Sequence, residues 1–329
     1  MNLPKTVVDK PIVFICGHRK SGTTMFHNLF DGHPELCVYP MDINLLYGYF
    51  PNFNSVSTST EELEARVDRV VFDDLVKTAA LGNVIDVKKL KEFFKKNMKG
   101  QSYSDVNEVI GALLKAYSEL ESKEKKYYVV KETGIEMYAK EIKQWFPNCK
   151  FIHLIRDPRD NFAAIKSGLK KKYESYGDSD ISLLFSVIFR NLWGFKMAHI
   201  NQRLLGESSY KLVKFEDIVA QPELMMRDIS QWLGIDFDIS SLTPTVCGHN
   251  TSGNNFSGKN FSTVSSEHVS KWTDRITDEE VAMLEFAFGS EMSLFGYEAS
   301  SSDASKAESV SDFYKHMNYK YFYFDRFSE

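Results

Sequence analysis

The chain has 329 residues, of which 43% are hydrophobic and 14% aromatic, and its formal net charge is −5. These values are typical of a globular protein with a substantial core, in one large domain or two small ones. The acidic balance argues against general nucleic-acid binding through a basic surface, although it leaves room for a local basic pocket. No apolar run approaches the roughly 18 residues of a membrane span, and no signal-peptide pattern is visible. We therefore expect a cytoplasmic protein without a transmembrane segment or a nucleic-acid partner.

The cysteines give no sign of a metal or redox site. Cys16, Cys37, Cys149 and Cys247 show neither metal-ligand nor redox spacing. Cys16 and Cys149 adjoin or end apolar, strand-like segments, which predicts buried thiols. We therefore predict no metal site.

A glycine loop near the N-terminus connects a predicted strand to a predicted helix. Residues 12–16 form an apolar run with three β-branched members, which predicts a buried strand. Apolar residues recur at helical spacing over residues 25–30. Between them lie residues 17–24, GHRKSGTT, with glycines five positions apart. At such a junction, unpaired N–H groups and the helix dipole converge, which predicts an anion-binding loop.

The loop has the spacing of a Walker A motif with one change. Thr23 stands where that motif has lysine, and the lysine lies earlier, at Lys20. A P-loop kinase or ATPase neutralises a triphosphate with the loop lysine and Mg²⁺ together. A displaced lysine suits a less charged phosphate ester better. A glycine-rich turn with a purely structural role is the alternative interpretation.

The loop resembles the 5′-phosphosulfate loop of sulfotransferases, which use 3′-phosphoadenosine 5′-phosphosulfate (PAPS) as donor. Those loops read roughly Pro-[Lys/Arg]-Ser-Gly-Thr-[Ser/Thr], and this chain matches except that arginine replaces the proline. The resemblance implies that the loop binds the donor without a metal and that Lys20 also acts in catalysis. The implied binding residues are Arg19, Lys20, Ser21, Gly22, Thr23 and Thr24.

A second match concerns the 3′-phosphate of the donor. Arg156 directly follows a predicted strand, where sulfotransferases place a phosphate-binding arginine. A serine eight residues later normally completes that site, but this chain has Ala164. Ser167, one helical turn further along the same face, or Lys166 is implied as the substitute. The guanidinium fork suits a phosphate, and the helix N-terminus adds dipole stabilisation.

Two segments extend the resemblance toward the C-terminus. Residues 216–222 follow a predicted strand and resemble a family pattern that begins with tyrosine. Phe215 takes the place of that tyrosine, so a hydroxyl contact to the nucleotide is lost. Residues 270–272, Ser-Lys-Trp, resemble a segment whose basic residue reaches the nucleotide. Lys271 is therefore implied as a further donor-binding residue.

Two candidate catalytic residues lie outside the phosphate loops. Lys131 ends a predicted strand over residues 127–130, where the family often has lysine and where a doubly wound sheet binds its ligand. The alternative is a lysine that pairs with Glu132 or Glu136. Asp42 lies after a His-Pro-Glu segment, where the family often places its base. The alternatives are a capping residue at Asp42 and a histidine as the base.

Strands and helices alternate along the chain. The resemblance implies an α/β, P-loop NTPase-like fold of three layers, with a central parallel sheet flanked by helices. Residues from about 43 to 126 show helical patterns, which predicts a helical insertion where acceptor specificity would vary. Aromatic residues also recur along a later helical pattern, and we interpret them as core. These residues are Phe185, Phe189, Trp193 and Phe195.

The resemblance runs from residue 11 to about residue 297, so we predict a sulfotransferase domain over residues 1–297. Residues 298–312 are rich in serine, which is typical of a flexible linker. Residues 313–329 are too aromatic for an ordinary disordered end. We expect this tail to dock onto its own domain or to mediate a homo-oligomer.

The sequence therefore predicts a sulfotransferase that moves a sulfuryl group from PAPS to an acceptor hydroxyl or amine. We favour a carbohydrate or another small molecule as acceptor; a phenol, a protein tyrosine and a lipid-linked glycan remain open. The alternatives are a P-loop nucleotide kinase and a catalytically silent nucleotide-binding module. The missing lysine at Thr23 and the lack of a clear Walker B aspartate argue against the kinase.

Overall fold

A five-stranded parallel sheet forms the centre of the molecule. The computed structural model describes residues 8–44, 59–77, 84–121, 124–172, 180–250 and 263–317. The strands lie in the order β2-β3-β1-β4-β5, and every neighbouring pair is parallel. They are β1 (Ile12–Gly17), β2 (Leu36–Asp42), β3 (Tyr127–Lys131), β4 (Lys150–Ile155) and β5 (Tyr210–Lys214). The carboxyl ends of all five strands therefore share one edge of the sheet.

Strand β1 is buried along its whole length because helices cover both faces of the sheet. Successive side chains point to opposite faces. Ile12 and Phe14 accordingly join one core cluster, whereas Val13 and Ile15 join another. A parallel strand that is buried on both sides has a continuous apolar sequence, and this explains why residues 12–16 could be recognised as a strand.

Helices form the two outer layers. They are α1 (Thr23–Asn28), α2 (Thr60–Val67), α3 (Asp74–Lys77), α4 (Val87–Asn97), α5 (Val106–Glu121), α6 (Ala139–Trp145), α7 (Pro158–Lys172), α8 (Asp180–Leu205), α9 (Phe215–Ala220), α10 (Pro222–Leu233), α11 (Asp278–Leu294) and α12 (Asp303–Met317). Side chains of α4, α5 and α6 fill the core on one face of the sheet, and those of α1 and α10 fill the core on the other. None of the helices in the described ranges has the length and apolar character needed to cross a membrane.

Short elements complete the fold. A π-helical turn (Asp68–Asp73) joins α2 to α3, and 3₁₀ turns occupy Ile135–Tyr138, Ile239–Leu242 and Lys271–Asp274. A two-stranded antiparallel hairpin consists of β6 (Thr245–Val246) and β7 (His249–Asn250). The elements confirm the predicted α/β fold of three layers around a parallel sheet. Within residues 43–126, the regular elements of the described part are helices, as the predicted insertion requires.

The serine-rich segment differs from the expected flexible linker. Residues 303–317 form α12, which crosses the predicted border at residue 312. Ser302 starts this helix, because its Oγ accepts the N–H of Ser305 at 3.1 Å and its carbonyl accepts that of Lys306 at 3.0 Å. The ring of Phe313 packs on Phe185 of α8, with centroids 6.1 Å apart. Composition alone did not reveal this cap and contact. Residues 318–329 of the aromatic tail lie outside the described residues, and the domain borders stay a prediction.

Candidate active site

The glycine loop after β1 folds back on itself at the carboxyl edge of the sheet. The backbone N–H and the Oγ of Ser21 both donate to the carbonyl of His18, at 3.2 and 2.7 Å. Gly17 has φ 143°, and a Cβ there would lie 2.6 Å from the carbonyl oxygen of Leu154. Only glycine therefore allows β1 to leave the sheet so close to β4. The loop is thus a tightly constrained turn in which Ser21 is fully buried.

Gly22 marks the point where the loop becomes helix α1. Its φ is 95°, and a Cβ would lie 2.3 Å from the ring of Phe215. The aromatic residue that replaces the family's tyrosine therefore packs directly against the loop. Thr23 is buried and Thr24 is half-buried in the first turn of α1. The first N–H groups of a helix have no partner within the helix, so this turn presents donors to an anion.

Arg156 connects the loop to a distant segment of the chain. Its Nη1 donates to the carbonyl of Lys20 at 3.0 Å, and its Nη2 donates to the carbonyl of His268 at 2.9 Å. Its guanidinium lies 4.5 Å above the centroid of the Phe215 ring. The Nε is buried without a partner among the described residues. The predicted phosphate-binding arginine therefore lies beside the loop and holds it to residues 263–272.

The segment that carries Lys271 is fixed by a carboxylate of α7. Asp160 accepts the backbone N–H of Ser270 at 2.6 Å and that of Trp272 at 3.0 Å. The guanidinium of Arg159 lies 4.3 Å from the centroid of the Trp272 ring. Lys271 thereby lies in the segment that Arg156 also contacts, through the carbonyl of His268. The implied donor-binding residues of the loop, β4 and this segment are close neighbours in the fold.

Ser167, the implied substitute at the 3′-phosphate site, is directed elsewhere in this structure. It is exposed on α7, and its hydroxyl donates to the carbonyl of Ala163, one turn earlier, at 2.8 Å. Lys166 forms an ion pair with Glu280, with an Nζ–Oε1 distance of 2.7 Å. A role of Ser167 in donor binding stays a prediction.

Asp42 and Lys131 meet at the ends of two neighbouring strands. They are register partners of β2 and β3, and the Nζ of Lys131 lies 2.5 Å from Oδ2 of Asp42. The Lys131 side chain is 4% exposed and the Asp42 side chain 37%. The structure thus pairs Lys131 with Asp42 rather than with Glu132 or Glu136 among the contacts described.

The charge of Lys131 also acts on a buried histidine of α1. The pKa of His27 is lowered to about 3, first by burial and then by repulsion from Lys131. His33 of the His-Pro-Glu segment uses both ring nitrogens, one toward the carbonyl of Asp236 at 3.0 Å and one toward the N–H of Glu35 at 3.1 Å. These two histidines are therefore poor candidates for the base, whereas Asp42 is accessible and next to Lys131.

Buried polar residues for which the sequence predicts no role in the site hold the loop from behind. The amide of Asn161 donates to the carbonyl of Arg19 and lies 3.2 Å from Nδ1 of His18, and Asn191 donates to Asn161 at 2.5 Å. Glu136 accepts the N–H of Gly17 at 3.2 Å. No local sequence pattern marks Asn161 and Asn191, because their burial is visible only in the fold. Burial raises the pKa of the Glu136 carboxyl to about 7.

A cavity of about 680 Å³ opens beside the loop. Its wall includes His18 and Arg19, residues of 133–138, and side chains of α7 and α8. Three of the aromatic residues interpreted as core are in fact exposed, and only Phe195 is buried. The exposed fractions are 39% for Phe185, 59% for Phe189 and 48% for Trp193. They lie four residues apart and share one face of α8. Phe189 and Trp193 border the cavity, whereas the ring of Phe185 packs on Phe313 of α12.

The sequence model described as "Sulfotransferase family" matches residues 11–239. The chain belongs to the sulfotransferase family. The predicted resemblance to sulfotransferases is therefore confirmed. The match covers the loop, Asp42, Lys131 and Arg156. It argues against membership of a nucleotide kinase family.

Individual sulfotransferases resemble this chain more distantly. The omega-hydroxy-beta-dihydromenaquinone-9 sulfotransferase Stf3 of Mycobacterium bovis is 21% identical over 262 residues, which are 71% of this chain and 66% of that protein. The match therefore spans slightly less than two thirds of that relative's length.

Solved structures of sulfotransferase domains support the fold. The domain of the Synechococcus PCC 7002 olefin synthase has a TM-score of 0.63 at 20% identity, and the match covers 90% of this chain and 98% of that domain. The domain from the curacin biosynthetic pathway has a TM-score of 0.61 at 16% identity, and the match covers 89% of this chain and 100% of that domain. At such identities the likeness shows the fold alone, and it confirms the P-loop NTPase-like architecture expected for a sulfotransferase.

Proposed function

We propose that this sulfotransferase moves a sulfuryl group from PAPS to the hydroxyl or amine of a small-molecule or lipid acceptor. The observation that carries the proposal is the Asp42–Lys131 pair. The pair lies at the carboxyl edge of the sheet, where β1 also ends and the glycine loop begins. A proton acceptor and a cation thus lie together beside an anion-binding loop. This is the combination that transfer of an anionic group to a hydroxyl needs.

The donor-binding part of the proposal rests on groups that attract phosphates. The N–H groups at the start of α1 and the side chain of Lys20 would hold the 5′-phosphosulfate, with Arg19, Ser21, Gly22, Thr23 and Thr24. Arg156, Lys271 and Ser167 would hold the 3′-phosphate of the donor. Ser167 has the least support of the three, because its hydroxyl donates to the carbonyl of Ala163. The buried Nε of Arg156, unpartnered among the described residues, fits an anion at this place. PAPS supplies the activated sulfuryl group.

The transfer step needs a base and charge stabilisation. The acceptor oxygen forms a bond to sulfur while the bond between sulfur and the phosphate oxygen breaks, in line with it. The acceptor proton passes to the carboxylate of Asp42, and adenosine 3′,5′-bisphosphate leaves. Lys20 and the loop N–H groups stabilise the charge on the departing phosphate. Lys131 stabilises the sulfuryl oxygens and orients Asp42 through the 2.5 Å contact.

Transfer of label from [³⁵S]PAPS to a panel of acceptors tests the proposal. Incubations with and without EDTA, and with ATP in place of PAPS, separate sulfuryl transfer from a kinase reaction. Transfer from PAPS that survives EDTA supports the proposal. Strict dependence on Mg²⁺ with ATP as the donor would contradict it. Binding of adenosine 3′,5′-bisphosphate, measured by calorimetry, tests the donor site separately from the chemistry.

A further inference from the structure

Residues 295–302, which we call the α11–α12 connection, contact the junction of β4 and α7. Residues 156–160 form this junction, and they include the predicted phosphate-binding Arg156. The Nη1 of Arg159 donates to the carbonyl of Glu298 at 3.0 Å, although the two residues are 139 positions apart in the sequence. The C-terminal part of the domain therefore meets one end of the predicted donor site.

Arg159 is the centre of this contact and is 5% exposed. Its Nε and Nη2 donate to the two carboxylate oxygens of Asp157, at 3.0 and 2.7 Å. Its Nη1 also donates to Glu285 at 2.7 Å, and its guanidinium stacks on the ring of Trp272. The donors of a guanidinium diverge in one rigid plane, so an arginine can hold two carboxylates and stack on a ring at the same time. Arg159 thereby joins α7, α11 and the segment of Lys271.

Glu285 anchors the α11–α12 connection to α11. Its side chain is completely buried. It accepts the N–H and the hydroxyl of Ser300, both at 2.9 Å, and the N–H of Ser301 at 2.8 Å. A buried carboxylate is stable only when its oxygens are bonded. Because the α11–α12 connection supplies three of the donors, the carboxylate keeps the connection docked beside Arg159.

Glu216 of α9 makes a second link to the α11–α12 connection. Its Oε1 accepts the N–H of Asp157 at 3.0 Å, and its Oε2 accepts the hydroxyl of Tyr297 at 2.8 Å. Asp157 directly follows Arg156 in the chain, so the first bond fixes the backbone beside the Arg156 guanidinium. Tyr297 is thus linked to the backbone next to Arg156 through a single carboxylate.

The segment of Lys271 depends on contacts from the junction of β4 and α7. Ser270 has a φ of 58°, a conformation that residues other than glycine rarely adopt and that persists where the surroundings fix it. Asp160 accepts the N–H groups of Ser270 and Trp272. Arg159 stacks on Trp272. A shift of the junction would therefore also move Lys271.

We propose that Arg159, Glu285 and Tyr297 are positioning residues for the donor site. Through them the docked α11–α12 connection holds Arg156 and Lys271 at the spacing that the 3′-phosphate of PAPS needs. The inference rests on the proposed function and deepens it, because it makes the donor affinity depend on the α11–α12 connection. The three positioning residues act through Arg156 and Lys271 and need no contact with the nucleotide themselves.

Tyr297→Phe and Glu285→Gln test the proposal, because each weakens the docking and leaves Arg156 and Lys271 in the chain. Calorimetry is expected to show an affinity for adenosine 3′,5′-bisphosphate about fivefold lower than that of the wild type. The KM for PAPS is expected to rise by the same factor. The kcat at saturating PAPS is expected to stay unchanged, since the residues of the transfer step end β2 and β3, on the far side of β1 from β4.

Tyr128→Phe and Glu291→Gln are the matched controls. The hydroxyl of Tyr128 also donates to a carboxylate, that of Asp9, at 2.9 Å. Glu291 also lies on α11 and pairs with a cation, Lys196, at 3.2 Å. The controls make the same chemical changes outside the junction of β4 and α7, so they are expected to retain the donor affinity of the wild type. Equal donor affinities in the test variants and the controls would overturn the proposal.

Hydrogen exchange without a nucleotide measures the coupling separately. The amides of residues 270–272 are expected to exchange faster in Tyr297→Phe than in Tyr128→Phe, because their bonds to Asp160 open more often. Unchanged exchange would overturn the proposal. Faster exchange without a loss of donor affinity would also overturn it, since the network would then only stabilise the fold. A wild type that does not bind adenosine 3′,5′-bisphosphate would contradict the proposed function, and the exchange rates would still test the link between the α11–α12 connection and residues 270–272.

Discussion

The Nζ of Lys131 lies 2.5 Å from Oδ2 of Asp42, and the two residues are register partners at the ends of β3 and β2. The lysine is almost completely shielded from water, whereas the carboxylate keeps about a third of its surface exposed. A buried ammonium group is stable only with a partner of opposite charge. Each residue therefore sets the environment of the other, and the exposed carboxylate is the one that an acceptor can reach.

Asp42→Asn should lower the rate of sulfuryl transfer about 10²- to 10⁴-fold, the usual contribution of a general base. The asparagine oxygen can still accept a hydrogen bond from Lys131, so binding of adenosine 3′,5′-bisphosphate should not change. Rates with [³⁵S]PAPS and calorimetry measure the two effects. Asp228→Asn is the control, because Asp228 pairs with Lys211 at 2.8 Å and is half-exposed away from the loop. Full activity of Asp42→Asn would show that the base lies elsewhere.

Lys131→Met should also lower the transfer rate, and the effects of the two substitutions should not be additive. If the pair acts as a unit, the double variant loses little more activity than either single variant. The double-mutant cycle is measured on kcat, with PAPS saturating. Independent effects that multiply would argue that Lys131 acts on the sulfuryl group without orienting Asp42.

Gly22→Ala should abolish donor binding, because a methyl group there would collide with the Phe215 ring and because φ is 95°. Gly100→Ala is the matched control. Gly100 also has a positive φ, of 79°, but its Cβ would meet nothing within 4 Å. The control should lose only about 1 kcal/mol of stability and retain donor binding. Calorimetry with adenosine 3′,5′-bisphosphate and thermal unfolding measure both properties. If the two variants lose donor affinity equally, the loss is caused by backbone strain and not by the contact with the Phe215 ring.

Arg156→Lys should weaken donor binding at least tenfold although it preserves the charge. An ammonium group cannot repeat the fork that joins the carbonyls of Lys20 and His268 while it stacks on Phe215. Arg227→Lys provides the comparison, because Arg227 also stacks on an aromatic ring, that of Phe237, but is exposed on α10. Donor affinity that is the same in both variants would contradict a role of the fork.

The sequence predicted the sheet and the phosphate loop because both have local signatures. A parallel strand buried on two faces is a continuous apolar run, and the loop depends on glycines at fixed spacing. The contact between Gly22 and Phe215 and the bonds of Asp160 to residues 270–272 join positions more than a hundred residues apart. No local pattern contains such information.

Two interpretations failed for the same physical reason. The apolar spacing of Phe185, Phe189 and Trp193 shows that they share a helix face, but it does not show what covers that face. The serines near residue 302 indicate a linker by composition, yet one of them caps a helix that packs through Phe313. In the first case tertiary contacts determine whether the helix face is buried, and in the second they determine whether the segment is ordered. Neither the periodicity nor the composition contains these contacts.

Glu136→Gln should remove a pH dependence of stability. The folded-state pKa of Glu136 is raised by burial to about 7 from its ordinary 4.5. The folded protein therefore holds this proton at a pH where the unfolded chain has lost it, and wild-type stability falls as the pH rises through this window. Glutamine keeps an oxygen for the N–H of Gly17 and does not titrate.

The measurement is the difference in unfolding free energy between Glu136→Gln and the wild type, from urea denaturation at pH 5 and pH 8. From pH 5 to pH 8, we expect the unfolding free energy of the variant to rise by about 2 kcal/mol relative to that of the wild type. Buried His18 and His27 titrate in both proteins and cancel in the difference. A difference that does not vary with pH would show that Glu136 is ionised in the fold at pH 5.

Two truncations should separate the contributions of α12 and of the turn before it. A chain that ends after Ser302 loses the packing of Phe313 on Phe185. A chain that ends after Ala299 also loses three hydrogen bonds that Ser300 and Ser301 donate to Glu285, at 2.8 to 2.9 Å. Glu285 is buried and pairs with Arg159, so the loss removes three of the hydrogen-bond donors that stabilise its carboxylate.

We therefore expect the melting temperature to fall from the full chain to the Ser302 truncation, and by about a further 5 °C to the Ala299 truncation. Size-exclusion chromatography of the same three proteins tests whether the predicted homo-oligomer depends on the C-terminal segment. Phe313→Ala in the full chain is the matched control for packing, since it retains every bond to Glu285. The Ser302 truncation retains the hydrogen bonds that Ser300 and Ser301 donate to Glu285, and the Ala299 truncation loses them. Identical melting temperatures for the two truncations would therefore show that these bonds do not contribute to stability.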